Sequence, residues 1–124
     1  MASSSLVVDT SVFIEYLRAP NKTKTKLFSI SDKTSLCIST ITLYELLMGA
    51  VNSEKQNDIE LLTSDLTILS FNQKTAMIAA EVYHDLRKRN KMIEFRDLFI
   101  AATAIAHDLP VLRLTKNILK ESKE

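Results

Sequence analysis

The sequence predicts an α/β fold: a central parallel sheet of about four or five strands with helices on both faces. Two observations point there. Short apolar runs alternate with helical stretches along the chain, the βαβ rhythm of a parallel sheet. The length of 124 residues, with 46% hydrophobic and 25% charged residues, suits one soluble globular domain with one core.

Leu6-Val-Val8 is an apolar, β-branched run that reads as a strand buried on both faces. It ends at Asp9, Thr10 and Ser11, where a helix begins with Phe13, Ile14 and Leu17 turned inward. Ala19-Pro-Asn21 breaks that helix, because proline cannot continue it and restricts its predecessor. Residues 22–30 are expected to form a second helix with Leu27, Phe28 and Ile30 inward. Leu36-Cys-Ile38 is the second strand, and Ser39-Thr40 leads into a helix from Ile41 to Gly49. That helix is apolar nearly all round and belongs in a core, with Thr42 and Glu45 as its polar exceptions.

Residues 52–64 read as a surface helix with Ile59, Leu61 and Leu62 inward, and residues 66–70 as a third strand. Asn72 caps a long helix whose inward stripe is Ala76, Ala79, Ala80, Tyr83 and Leu86, leaving His84 toward solvent. Leu98 to Ala106 is a buried helix with Thr103 as its polar residue, opened by Asp97 and closed by Asp108 and Pro110. Val111-Leu-Arg-Leu114 is the last strand. Residues 1–5 are expected to be disordered, and 118–124 to be a short helix or frayed.

Composition excludes several chemistries. A single glycine, Gly49, allows neither a Walker loop nor a dinucleotide fingerprint. Cys37, His84 and His107 have no zinc-ligand spacing, and a lone cysteine forms no internal disulfide, which suits a reducing compartment. No apolar run nears the ~18 residues of a membrane span, and the N-terminus lacks signal-peptide features, so the cytosol is expected. The net charge of +1 announces no nucleic-acid binder, yet basic residues bunch at Lys22, Lys24 and Lys26 and again at Arg87-Lys-Arg-Asn-Lys91. A charge run is most often a solvated face, and that reading is favoured for each over a surface for phosphates.

Three acids stand out. Asp9 follows a buried strand, Glu45 lies in an otherwise apolar helix, and Asp97 starts another. Each has a plain structural reading: Asp9 or Thr10 as a helix cap, Thr42-x-x-Glu45 as a capping box, Asp97 as a cap. In a parallel sheet, however, all three positions converge on the carboxyl edge, where ligands bind. Three oxygen acids without His or Cys suit a hard cation, Mg²⁺ or Mn²⁺. Such an ion can lower the pKa of bound water and stabilise a phosphodiester undergoing in-line displacement.

Val8-Asp-Thr-Ser-Val-Phe-Ile14, Ile38-Ser-Thr-Ile-Thr-Leu-Tyr-Glu-Leu46 and Arg96-Asp-Leu-Phe-Ile-Ala-Ala-Thr-Ala104 together resemble PIN-domain ribonucleases of the VapC toxin type. Order and spacing agree from about residue 6 to 117. The resemblance implies a PIN-like fold and a Mg²⁺-dependent, single-strand-specific endoribonuclease, with Mn²⁺ able to substitute, acting on transfer RNA or a ribosomal RNA loop. It also implies a cytoplasmic homodimer inhibited by a VapB-like antitoxin whose peptide arm lies across the acidic site. Asp9 and Asp97 match the principal metal ligands, and Glu45 completes the site directly or through water. Thr10 and Ser11 would hydrogen-bond Asp9 or a metal-bound water.

Where the family often has a fourth acid, this sequence has Asn117, and its ending departs further from the pattern. That departure motivates an alternative, a catalytically weak PIN-like module binding RNA or a protein. A phosphoryl-transfer domain with Asp9 as nucleophile is a third reading. Against its phosphatase version, no second aspartate follows two residues after Asp9.

Overall fold

The computed structural model describes residues 4–114. Its strands, β1 (Ser5–Val8), β2 (Ser35–Ser39), β3 (Thr67–Leu69) and β4 (Val111–Leu112), form one parallel sheet in the order β3-β2-β1-β4. The helices are α1 (Thr10–Arg18), α2 (Thr40–Gly49), α3 (Ser53–Thr63), α4 (Gln73–Lys88) and α5 (Phe95–Ala106). The α/β class and four of the expected strands are therefore present among the described residues. β1 is central: Val7 stands beside Cys37 on one side and Val111 on the other. The chain steps outward from β1 to β2 to β3 and then crosses back to β4, which makes the carboxyl end of β1 the topological switch point.

Alternation along the strands divides the core in two. Val8 and Ile38 face one side, where they meet Val12 and Phe13 of α1, Leu46 of α2 and Ile59 of α3. Val7 and Cys37 face the other, where Ile100 and Ala104 of α5 cover them. A third cluster joins Ala79 of α4 to Leu98 and Ala102 of α5. Helices thus lie on both faces, as a sheet of buried parallel strands requires. Burial pushes the Cys37 thiol above its ordinary pKa, against the pull of the Leu6 backbone hydrogen bond, so it stays a neutral core group.

The structure departs from the sequence expectations in several elements. Residues 22–30 are not a helix; a 3-10 turn, Lys22–Lys24, gives way to further turns. Asn21 starts that turn by accepting from Thr23, and Lys22 reaches back to the carbonyls of Leu17 and Ala19. These contacts close the C-terminus of α1 locally. Leu27 packs against the core, but Phe28 is exposed.

α2 is not wrapped in core: Tyr44, Leu47 and Met48 form an exposed apolar face, while Thr42 and Leu46 are buried. On α3, Ile59 and Leu62 face inward but Leu61 is exposed. The inward stripe of α4 is also rotated, to Thr75, Ala79 and the half-buried Ile78, Val82 and Leu86, with Ala76, Ala80 and Tyr83 outside. Packing against α5 sets that face, and the amide and hydroxyl of Thr75 both return to Asn72 Oδ1 at the cap. Finally, Ser5 is strand rather than disordered chain, β3 and β4 are shorter than expected, and α5 begins three residues before Leu98.

Other expectations hold. His84 is exposed, and Asn72 caps α4. Asp108 takes φ 56, a left-handed stop that ends α5 as the chain turns toward Pro110. No helix among the described residues is long and apolar enough to cross a membrane. Asn117 and the tail from 118 lie outside the described residues.

Candidate active site

Parallel strands deliver their following residues to one edge, and three hydrogen-bonding systems meet there. The first belongs to Asp9, which leaves β1 as the N-cap of α1 and is 6% exposed. Its Oδ2 accepts from the Ser11 amide at 3.0 Å and the Ser11 hydroxyl at 2.7 Å. Ser11 Oγ in turn accepts from the Leu114 amide at 3.2 Å, and the Asp9 amide donates to Leu112 O at 2.8 Å. The switch-point carboxylate is thereby fixed to the end of β4. Cap and site readings of Asp9 are compatible, since both bonds fall on one oxygen and the α1 dipole favours the anion.

The second system joins α1 to α2. Thr10 Oγ1 donates to Glu45 Oε1 at 2.6 Å and lies 3.0 Å from Thr42 Oγ1. Thr42 Oγ1 sits 3.2 Å from Ser39 Oγ. The expected Thr42-x-x-Glu45 capping box is absent: Ser39 caps α2 by accepting from the Thr42 amide, and Glu45 lies a turn further along. A carboxylate in that helix interior is held by side-chain partners from other elements. Thr10 is 3% exposed and Thr42 is fully buried, so both hydroxyls must find partners within the protein.

The third system joins α2 to α5 through Arg96. Its Nε contacts Glu45 Oε2 at 2.9 Å and its Nη1 contacts Asp97 Oδ1 at 2.8 Å. Asp97 lies in the first turn of α5 but is not its cap; Glu94 holds that position without a side-chain bond. Phe95 and Phe71 stack on Phe99 with centroids 4.0 and 4.3 Å away, fixing the start of the helix against the entry to α4. The Asp97 hydrogen bond holds the Arg96 pKa above its ordinary value, partly opposed by burial and reinforced by the charges of Glu45, Asp97 and Asp9. All three predicted acids therefore act on one guanidinium.

Sequence reasoning named Asp9, Thr10, Ser11, Glu45 and Asp97 and missed Arg96 and Thr42. Arg96 carries no usable signal: with the helix expected to start at Leu98 it lies outside the first turn, and its partner Glu45 is distant in sequence. Thr42 does stand out as a polar residue in an apolar helix, but the capping-box reading pairs it with Glu45 rather than with Thr10 and Ser39. Among the described residues, no three His, Cys, Asp or Glu side chains are grouped tightly enough to hold an ion as they stand.

These carboxylates and hydroxyls stand at the switch point of a small parallel sheet, the place where open α/β folds bind their ligands. The chain belongs to the PIN domain family, whose profile matches residues 6–119. It is 35% identical to the ribonuclease VapC of Rickettsia bellii over 96% of this chain and 91% of that protein. Its fold matches the VapBC2 complex of Rickettsia felis, bound to a DNA fragment from its promoter, with a TM-score of 0.73 and 24% identity over 94% of this chain and 92% of that one. It also matches the sarcin-ricin loop cleaving toxin VapC20 of Mycobacterium tuberculosis, with a TM-score of 0.66 and 14% identity over 94% of both chains. At these two identities the likeness is one of fold.

Proposed function

We propose that this chain is a ribonuclease toxin of the VapC type, a metal-dependent endoribonuclease that cuts single-stranded RNA in a transfer RNA or a ribosomal RNA loop. The observation that carries the reading is the tie of Asp9, Glu45 and Asp97 to one sheet edge through Ser11, Thr10 and Arg96. The donor set fits Mg²⁺ or Mn²⁺, being all oxygen and acidic. Among the described residues, the hydrogen bonds of Asp9 and Asp97 fall on Oδ2 and Oδ1 respectively, leaving the other oxygen of each for a cation. When bound, a divalent ion supplies an activated water and offsets the charge that the phosphodiester gains.

The chain's own residues do the positioning. Ser11 and the N-terminus of α1 keep Asp9 oriented. Thr10 holds Glu45 through a hydrogen bond to Oε1, and the Glu45 carboxylate would hold a bound ion directly or through water, or would accept a proton from a water on it. Asp97 serves as the second principal ligand, and Asn117 as a weak neutral one.

Lys22 is spent on α1 carbonyls and the Tyr16 ring, Arg89 on Asp85 and Arg87 on Tyr83. Lys24, Lys26, Lys88 and Lys91 are exposed and available to an RNA backbone, beside Arg87 and Arg89, which are exposed but paired on their own helix turn. The exposed apolar face of Tyr44, Leu47, Met48 and Val51 suits a VapB-like antitoxin or the second copy of a homodimer. An RNA substrate places the activity in the cytoplasm.

The reading is tested by incubating antitoxin-free protein with total cellular RNA in Mg²⁺ or in EDTA. Discrete cuts in magnesium, lost in EDTA, are expected. Binding without metal-dependent cutting would replace the nuclease with the RNA-binding module.

A further inference from the structure

The Arg96 guanidinium occupies the acidic site in a way that neither packing nor helix formation requires. Its side chain is 48% exposed, so it could extend into solvent, where a cation is best hydrated. It instead spans two carboxylates on different helices, Nε to Glu45 on α2 and Nη1 to Asp97 on α5. Those carboxylates are far less exposed, at 16% and 25%, and Asp9 adds its charge to the same guanidinium. Its own helix disfavours the arrangement, because a cation in the first turn of α5 opposes the macrodipole. Only the acids account for the position. As they stand, the acids among the described residues are not grouped tightly enough to hold an ion.

We propose that Arg96 is a positioning residue that serves as the internal counterion of the acidic site, bridging Glu45 and Asp97 until a divalent cation displaces it. The inference rests on the metal-dependent reading above and deepens it. Guanidinium and metal compete for the same carboxylates, so the apparent affinity for the metal is reduced by the fraction of molecules in which the bridge is closed. By linkage, metal binding opens the bridge. The fork geometry matters: a guanidinium can span two acids in fixed positions, whereas the ammonium of lysine is a point charge that satisfies one of them.

Mn²⁺ titration by calorimetry of the full chain and of Arg96→Gln and Arg96→Lys, each checked for folding by thermal melting, tests this. Arg96→Gln should bind Mn²⁺ roughly three- to tenfold more tightly than the unaltered chain, with Arg96→Lys in between. A residue that merely supported the fold would move affinity the other way. If Arg96→Lys equals the unaltered chain while Arg96→Gln is tighter, net charge rather than the bridge governs affinity, and the proposal fails. Equal or weaker binding by Arg96→Gln also overturns it, while leaving the metal site standing.

Absence of Mn²⁺ binding by all three proteins would remove both the metal-dependent reading and the counterion with it. The unaltered chain supplies a readout independent of any variant. The Arg96 Nε–H resonance in a ¹⁵N spectrum should shift on addition of Mg²⁺, and a resonance unchanged at saturating Mg²⁺ would contradict displacement.

Discussion

Asp9→Asn is expected to lower RNA cleavage by about a hundredfold or more, the scale of losing one electrostatic group from an active site. Its melting temperature should barely move. Asparagine is as good an N-cap as aspartate, and its carbonyl oxygen can accept the same Ser11 amide and hydroxyl. The substitution therefore keeps the cap and removes only the charge. It separates the two roles that Asp9 combines, one structural and one chemical. A folded Asp9→Asn protein with full activity in magnesium would reduce Asp9 to a helix cap and sink the assigned chemistry.

Phe13→Ala is expected to cost ~3–5 kcal/mol of stability, the usual loss for a buried phenylalanine. Phe13 is fully buried in the cluster of Val8, Val12, Ile38 and Leu46, where α1 and α2 lie against the sheet. Set against a total of ~5–15 kcal/mol for a domain, that loss brings the chain close to unfolding. The cavity would also loosen the α1–α2 contact across which Thr10 holds Glu45. Chemical denaturation gives the number directly. A loss under ~1 kcal/mol would mean that the site collapses around the gap and that this packing does not fix the spacing of the two helices.

How much was legible in the sequence follows from what each element depends on. β1, β2 and the cap at Asn72 are local, and continuous apolar runs with polar punctuation announce them; at α2 the sequence pattern favours Thr42 as the cap, and Ser39 is missed. The placement of Asp9, Glu45 and Asp97 at one edge was also legible, because parallel topology dictates where a strand's next residue goes.

Residues 22–30 misled because leucine and phenylalanine there share a helical spacing, while the backbone is claimed by Asn21, Thr25 and Lys22 side-chain bonds. The faces of α2 and α4 misled for different reasons. Apolar content does not say whether a face meets this chain or a partner, and on α4 Ala76 and Ala80 share the helical period while Ile78, Ala79 and Val82 do the packing. Arg96 is the instructive omission: its partner Glu45 is far away in sequence, and only the packing of α2 beside α5 brings them together.

The central claim is that Asp9, Glu45 and Asp97 form one divalent-metal site. A crystal of the antitoxin-free protein equilibrated with Mn²⁺ tests it through the position of the anomalous scattering peak. The account predicts one strong peak ligated by Asp9 and Asp97, with Glu45 bound directly or through a water and Arg96 withdrawn. A peak elsewhere, or none in crystals of protein that still cuts RNA in manganese, would contradict it.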